Sequence, residues 1–462
     1  MATAASEAAP SSSSDNDDFS WRLLEGANIH ARREHARVAL WPSTGDRARP
    51  PPPKRSFLDI DEVETFARDN GIKKNTLRLC YRELFRRGKS TFEHTPDVSA
   101  RDMKLLKENF TVCTSEVVET KTTEDGSGAK MVVKLHDGKL IETVVIGHSR
   151  SKDGDENGKA SDGGDAEKEG KVFRNTVCVS SQVGCAMGCT FCETGTLGLL
   201  ANLTAGEICE QVWHARNLCG DTGVRNVVMM GMGEPLDNYE EVLIALRAMT
   251  HQAVFDMRQR SVTVSTVGVP SSIRKLADDA PNVGLALSLH APTQELRARL
   301  LPSASGTAHT LGRLSESLKY HRRLSGRGAM IEYIVIDGVN DSPLHARDLG
   351  ELVGRTLLHD DESEVAGSNL NPNPTPKGRR RREQSGYFVN LIPYNPTDVG
   401  STHGYESPAD EALERMAAIL SDEYGVKAKV RWSTRRGREV DGACGQLALK
   451  SMRKEEEEES VA

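Results

Sequence analysis

Three cysteines fall within one short run, Cys185-Ala-Met-Gly-Cys189-Thr-Phe-Cys192, and are the densest chemistry in the chain. Three thiolates on so tight a loop suit a cubane iron–sulfur cluster, with one iron left open to a small molecule. A structural zinc site is the competing reading. Closed tetrahedral zinc sites want four ligands, usually as two separated pairs, and no second pair lies within reach in sequence. Phe191 either shields such a cluster or packs in an ordinary core. A further thiol, Cys444, sits in Asp441-Gly-Ala-Cys444-Gly-Gln446. A buried, inert cysteine belongs more often to an apolar periodic run, so an exposed, reactive thiol is favoured there.

Other candidates gain weight only from where the chain puts them. Gly231-Met-Gly233-Glu234-Pro235 offers a glycine that lets a ligand approach the backbone and a carboxylate able to hold an ammonium or a sugar hydroxyl. Ser265, the run Ser288-Leu289-His290, and Asn395 are bland singly: such serines are usually turn residues and a lone histidine is usually structural. All of them lie at the ends of, or just past, short β-branched runs; such runs occur at 176–179, 226–230, 261–267, 283–289, 330–336 and 387–392. Helical patterns fall between, at 205–217, 240–249, 271–278, 311–324 and 346–356. Strands alternating with helices predict an α/β architecture with a parallel sheet, and six such units suffice for a partial (β/α)6 barrel, whose ligands bind at the C-terminal strand ends. A final helix at 409–420 and strand at 427–432 lead to the Cys444 loop.

Ahead of this catalytic portion (172–447), residues 56–110 read as a small helical domain. Ile60, Val63 and Phe66 share one face, Leu77, Tyr81 and Leu84 another, and Ser99 is placed to cap a third helix. Alternation at 131–135 and 140–146 predicts a short β-meander within 111–148. Residues 1–55, with the run Pro50–Pro53, are expected to be a flexible extension without a core. The polar segments 149–171 and 363–385 read as disordered insertions, and 448–462 as a charged tail.

The chain has 462 residues, 37% hydrophobic and 27% charged, with a formal net charge of −7. The acidic excess lies in runs at 153–169 and 455–459, so net charge says little about the working surface. No apolar run reaches the roughly 18 residues of a membrane helix. The first 20 residues carry acids and no arginine, unlike an organelle transit peptide. A cytoplasmic protein is expected, with the nucleus, or an organelle reached by an atypical leader, as alternatives. Nine cysteines without a signal peptide read as ligands and reactive thiols rather than a secreted disulfide framework.

With Cys178-Val-Ser-Ser-Gln-Val-Gly-Cys185 leading into the cysteine run, the sequence resembles the radical S-adenosylmethionine (SAM) adenine-C2 RNA methyltransferases of the RlmN type, and a eukaryotic member is expected. The resemblance covers about 57–447 and is densest over 176–289 and 388–446. It implies a [4Fe–4S] cluster on Cys185, Cys189 and Cys192, and a SAM site lined by Gly233, Glu234, Ser265, Ser288, Leu289, His290 and Asn395. It implies that Cys444 is methylated by a first SAM, then loses hydrogen to a radical made from a second. The methylene radical would add to adenine C2, Glu142 would accept the C2 proton, and Cys178 would release the base by closing a disulfide with Cys444. Such a route answers the poor nucleophilicity of C2. Read without the family, Glu142 would be a solvent-facing strand carboxylate. Cys80, Cys113, Cys209 and Cys219 match no family role.

Implied partners are transfer or ribosomal RNA and an electron donor for cluster and disulfide, with no membrane and a monomeric state. Lys73, Lys74, Arg78, Arg82, Arg86, Arg87 and Lys89 are candidates for phosphate contact, against a solvated helix face. Arg431, Arg435, Arg436 and Arg438 are further candidates, while Arg379–Arg382 reads as a basic tract outside catalysis. Two alternatives stand beside the C2 reaction: methylation at adenine C8 on the same scaffold, and a non-catalytic iron–sulfur RNA-binding protein.

Overall fold

The computed structural model describes residues 32–33, 49–150, 172–220, 223–358, 386–432 and 446–451. Residues 1–31 and 34–48 of the extension, nearly all of the first expected insertion, the whole of the second with its Arg379–Arg382 tract, Cys444 and the end of the tail lie outside them.

Three helices open the chain: α1 (Ile60–Asp69), α2 (Lys74–Phe85) and α3 (Ala100–Asn109). Ser99 caps α3 as its position predicts, accepting from the Asp102 N–H at 3.0 Å. These helices bury Phe57, Phe92, Leu106 and Phe110 in the same apolar core that fills the rest of the molecule. Phe85 of α2 meets Trp213 and Phe255 edge-on at 5.3 and 4.7 Å, so the helical unit is docked by aromatic packing.

One ten-stranded sheet follows. Strands β1 (Glu116–Thr122), β2 (Gly128–Lys134), β3 (Leu140–Arg150) and β4 (Val172–Cys178) are antiparallel neighbours. Strands β5 (Val224–Met229), β6 (Val262–Thr266), β7 (Gly284–Ser288), β8 (Met330–Val335), β9 (Phe388–Pro393) and β10 (Lys427–Val430) continue from β4 in parallel, in sequence order. The six expected barrel strands are thus present, and the 427–432 strand adds a seventh to the parallel run. The expected meander extends the barrel sheet past β4.

Helices cover the parallel part: α4 (Ala205–Cys219), α5 (Tyr239–Thr250), α6 (Pro270–Asp279), α7 (Gln294–Leu300), α8 (Leu311–Ser325), α9 (Pro343–Gly350) and α10 (Asp410–Tyr424). A reciprocal capping box between Thr204 and Glu207 starts α4. The short α7 has no counterpart among the sequence patterns, because seven residues carry too little periodicity to be read. No described helix is long and apolar enough to cross a membrane.

The extension expected to be flexible contributes two anchored points. Arg33 is fully buried, with Asp59 at the start of α1 and Glu241 of α5 at 2.5 and 2.7 Å, and Asp61 and Glu62 at 3.3 and 3.6 Å. Arg49 pairs with Asp137 at 2.6 Å and Glu207 at 2.7 Å.

Candidate active site

The cysteine loop hangs from β4 and is closed by a two-stranded clip, Gln182–Gly184 against Leu199–Asn202. Within it the Cys185 N–H donates to Gly198 O at 2.7 Å, and the Cys192 N–H to Cys189 O at 3.2 Å. Gly188 takes a left-handed φ of 64°, which favours glycine. A tether runs from the Thr190 N–H to Leu300 O at the end of α7, at 3.1 Å. The three cysteines are half-buried. Burial pushes the Cys185 thiol up to about 12, with Cys192, Glu234 and Asp237 adding to it. Cys189 is raised well above its ordinary value by burial, then by Cys192 and Cys185. The three sulfurs are therefore electrostatic neighbours at one mouth, a donor set that fits a cluster whose iron supplies the charge needed to hold thiolates.

The ends of the next strands surround that loop. Gly233 has φ 98°, and a Cβ there would fall 2.5 Å from Gln182 Cβ, so only glycine lets the two loops meet. Gln182 Oε1 accepts from the Glu234 N–H at 2.8 Å. Glu234 is buried, and its carboxylate accepts from the Leu236 and Val267 N–H groups at 3.0 and 2.8 Å. Burial raises it to about 7, against the pull of those two donors. It therefore braces the β5 and β6 ends as well as offering its remaining lone pairs to a ligand. Ser265 Oγ and Ser288 Oγ lie 3.5 Å apart across β6 and β7.

His290 is left-handed (φ 60°) and buried. Its Nδ1 accepts from the Ile334 N–H at 3.0 Å, leaving Nε2 to carry the proton, and burial lowers its pKa to about 3. Asn340, to which nothing in the sequence points, holds this turn by donating to His290 O at 2.9 Å. Leu289 is buried beside it, its N–H on Glu332 O at 3.0 Å. The Phe191 ring stands edge-on to His290 at 5.0 Å, joining the cysteine loop to the β7 end. Asn395 is half-buried just past β9, and Thr397 two residues on donates to Phe191 O at 3.5 Å. Gly233, Glu234, Ser265, Ser288, Leu289, His290 and Asn395 are thus gathered with the cysteine loop along the C-terminal ends of the parallel strands.

A second group sits where the meander joins the barrel. Cys178 ends β4, opposite Val144 on β3, and burial pushes its thiol up to about 12. Glu142 faces the same way two residues from Val144. It is not the solvent-facing carboxylate of the bland reading: it is fully buried, paired with buried Lys130 at 3.0 Å. Its other oxygen accepts from the Ala448 N–H at 2.8 Å, so the 446–451 helical segment closes over this face. Lys130 gives no signal in the sequence, because a single strand lysine usually reaches water.

The basic residues from Lys73 to Lys89 are all exposed, with Lys74, Arg78 and Arg82 along one side of α2. Arg431 instead turns inward, donating to Asn390 Oδ1 at 2.8 Å, and 433–445 lie outside the described residues. Cys113 comes within 4.8 Å of Glu210 and His214 ligand atoms. Both Glu210 oxygens already accept N–H donors from Thr114 and Ser115 at 2.9 Å, which makes this trio an anchor for the turn entering β1.

A parallel barrel with such a cysteine loop at its first strand end defines a radical SAM enzyme, and residues 179–349 match the model of the Radical SAM superfamily. The chain is 32% identical over 398 residues to the probable dual-specificity RNA methyltransferase RlmN of Carboxydothermus hydrogenoformans, covering 86% of this chain and 98% of that protein. It is 34% identical to the protein of the same name from Salinibacter ruber, over 84% and 91% of the two chains. The ribosomal RNA large subunit methyltransferase N of Nitrosopumilus maritimus is also 34% identical, over 74% and 85%. Among solved structures, a radical SAM methyltransferase from Sphaerobacter thermophilus superposes with a TM-score of 0.66 at 30% identity, over 85% of this chain and 98% of that one. The chain belongs to the RlmN-type methyltransferase family. Its cofactors are accordingly a [4Fe–4S] cluster and SAM.

Proposed function

We propose that this protein methylates C2 of an adenosine in RNA, with Cys185, Cys189 and Cys192 holding the cluster and Cys444 carrying the methyl group to the base. Gly233, Glu234, Ser265, Ser288, Leu289, His290 and Asn395 form the SAM site. When bound, cluster and SAM supply a 5′-deoxyadenosyl radical. Cys444, already methylated, gives up a hydrogen, and its sulfur-borne carbon joins adenine C2 in a covalent protein–RNA adduct. Glu142 receives the C2 proton, and the adduct's unpaired electron leaves to the external electron-transfer partner that supplied the first one. Cys178 then attacks the Cys444 sulfur and releases the methylated base, leaving a disulfide for an external electron donor to reduce.

The observation that carries this reading is the Glu142 site. A buried carboxylate stands beside Cys178, and its lid is the segment that begins just after Cys444. Ala448 follows Cys444 by four residues, a reach of at most about 14 Å. A binding module has no use for a thiol beside a buried carboxylate, with a second thiol four residues before the residue that covers it in sequence. Burial pushes the Cys178 thiol up to about 12, so it must give up its proton before it attacks the Cys444 sulfur. The exposed basic side of α2 supports RNA as substrate, and a base must leave its stack to reach the cysteine loop. The protein acts as a monomer in the cytoplasm, where transfer RNA is the favoured target.

The test is to reconstitute the full chain anaerobically, supply both RNA classes with a reductant, and identify the modified nucleoside by mass spectrometry. 2-Methyladenosine is expected; 8-methyladenosine would redirect the chemistry to C8, and no methylation by a cluster-loaded protein would overturn the enzymatic reading. Cys178→Ala should accumulate a protein–RNA crosslink that wild type resolves, and its absence would refute the covalent route.

A further inference from the structure

Arg297, on α7, is about 1% exposed, yet its Nε and Nη1 groups have no hydrogen-bond partner among the described residues. Its remaining nitrogen, Nη2, donates to the Val267 carbonyl, which is neutral. Among the described residues no carboxylate forms an ion pair with it. Leu296 and Leu300 of the same helix lie in one apolar cluster against which Cys189 and Phe191 pack, so α7 lies against the cysteine loop. The helix that carries it is itself fastened to the cysteine loop, through the Leu300 carbonyl and both the backbone and hydroxyl of Thr190. A guanidinium with two nitrogens unsatisfied in so dry a place is costly, and an anion arriving beside it would offset that cost.

We propose that Arg297 is the resident counter-charge of the iron–sulfur cluster, held by α7 against the Cys189 side of the loop to favour the reduced, more negative state. This rests on the assignment of the cluster to Cys185, Cys189 and Cys192. Three thiolates give a [4Fe–4S]2+ core a net negative charge, and the added electron deepens it. A fixed cation nearby in a low-dielectric site stabilises the reduced form more than the oxidised one, and so raises the reduction potential. Arg297 is a positioning residue in this account and takes no part in bond making.

The experiment is a redox titration of the reconstituted full-length protein, followed by electron paramagnetic resonance, with iron content and circular dichroism recorded for each variant. Arg297→Gln should lower the reduced-to-oxidised ratio at a fixed potential by about tenfold, a shift of about 59 mV to lower potential for one electron. Arg297→Lys, which keeps the charge, should recover most of it. If Arg297→Gln loses the cluster while Arg297→Lys keeps it, the requirement for charge is equally supported.

An unchanged midpoint in a fully loaded Arg297→Gln protein would overturn the proposal. So would an unchanged midpoint with weakened SAM binding to the oxidised cluster, which would give the arginine to the SAM carboxylate. Loss of the cluster from both variants with the fold intact would assign Arg297 a packing role and overturn it too. Cys189→Ala separates the two levels: a retained cluster there would remove the ligand assignment itself, whereas its loss beside an unshifted Arg297→Gln removes only the arginine's role.

Discussion

Arg33 and Arg297 are both withdrawn from solvent, but among the described residues only the first is paired with carboxylates. Arg33 has Asp59, Asp61, Glu62 and Glu241 within 3.6 Å, and the carboxylates it gathers serve twice: Asp59 also caps α1, and Glu241 accepts the Ala205 N–H that begins α4. At the strand-end rim the balance is left open. Among the described residues, Arg297 Nε and Nη1 have no acceptor, and Glu234, likewise buried, is held by backbone donors and pairs with no cation. Charge that builds the fold is paired within the fold. At the rim, Arg297 and Glu234 are left for the proposed ligands to pair, whereas Glu142 is already paired with Lys130.

The largest effect should come from breaking the complete network. Arg33→Met leaves four carboxylates crowded without their cation, and a loss of about 3–5 kcal/mol is expected from denaturant unfolding of the full chain. Arg297→Met, measured the same way without cofactors, removes a charge that no carboxylate among the described residues pairs, and stability should hold or rise. Equal damage from the two substitutions would erase the distinction.

A smaller effect follows from Glu234. Its folded pKa of about 7 lies above the ordinary carboxylate value, so the unfolded chain releases its proton first. Stability from this group is therefore complete below about pH 4.5 and is lost as pH rises through about 7, by about 3 kcal/mol in all. The cofactor-free Glu234→Gln protein should show that much less fall in stability between pH 5 and 8. SAM, which brings a cationic ammonium, should flatten the wild-type profile in the same direction. A profile unmoved by the substitution would mean that Glu234 is as well paired as the carboxylates around Arg33.

The sequence exposes this division only in part, for a physical reason. CxxxCxxC is local, and so are the β-branched runs of β4–β9; their spacing alone places the loop at the rim of a parallel barrel. Strand β1 leaves no such trace because most of it faces solvent, so burial imprints no alternation on it. Lys130 and Arg297 are invisible for a deeper reason. A lysine in a strand or an arginine in a short helix reads as surface, and only tertiary packing puts them inside. The same holds for Glu142, whose bland reading fails because 446–451, some 300 residues away, covers it. Arg33 likewise gains meaning only when α1 and α5 converge on it.

The smallest stability effect, and the cleanest contrast, belongs to α2. Arg78 and Arg82 are exposed and hydrated on the face that also carries Lys74, so they pay no desolvation cost in the free protein. Replacing both by Gln should change unfolding free energy by no more than about 0.5 kcal/mol. Their effect should appear only with RNA present: weaker binding at low salt, and a shallower dependence of log K on log salt, by about 0.7 for each single-strand phosphate that the variant leaves unneutralised. Affinity that falls with an unchanged salt slope would mean that this face shapes the helix without touching phosphate. A stability loss approaching that of Arg33→Met would place α2 with the paired charges of the fold. An arginine in this protein would then be classed by whether its anion is built in, arrives as a cofactor, or arrives as substrate.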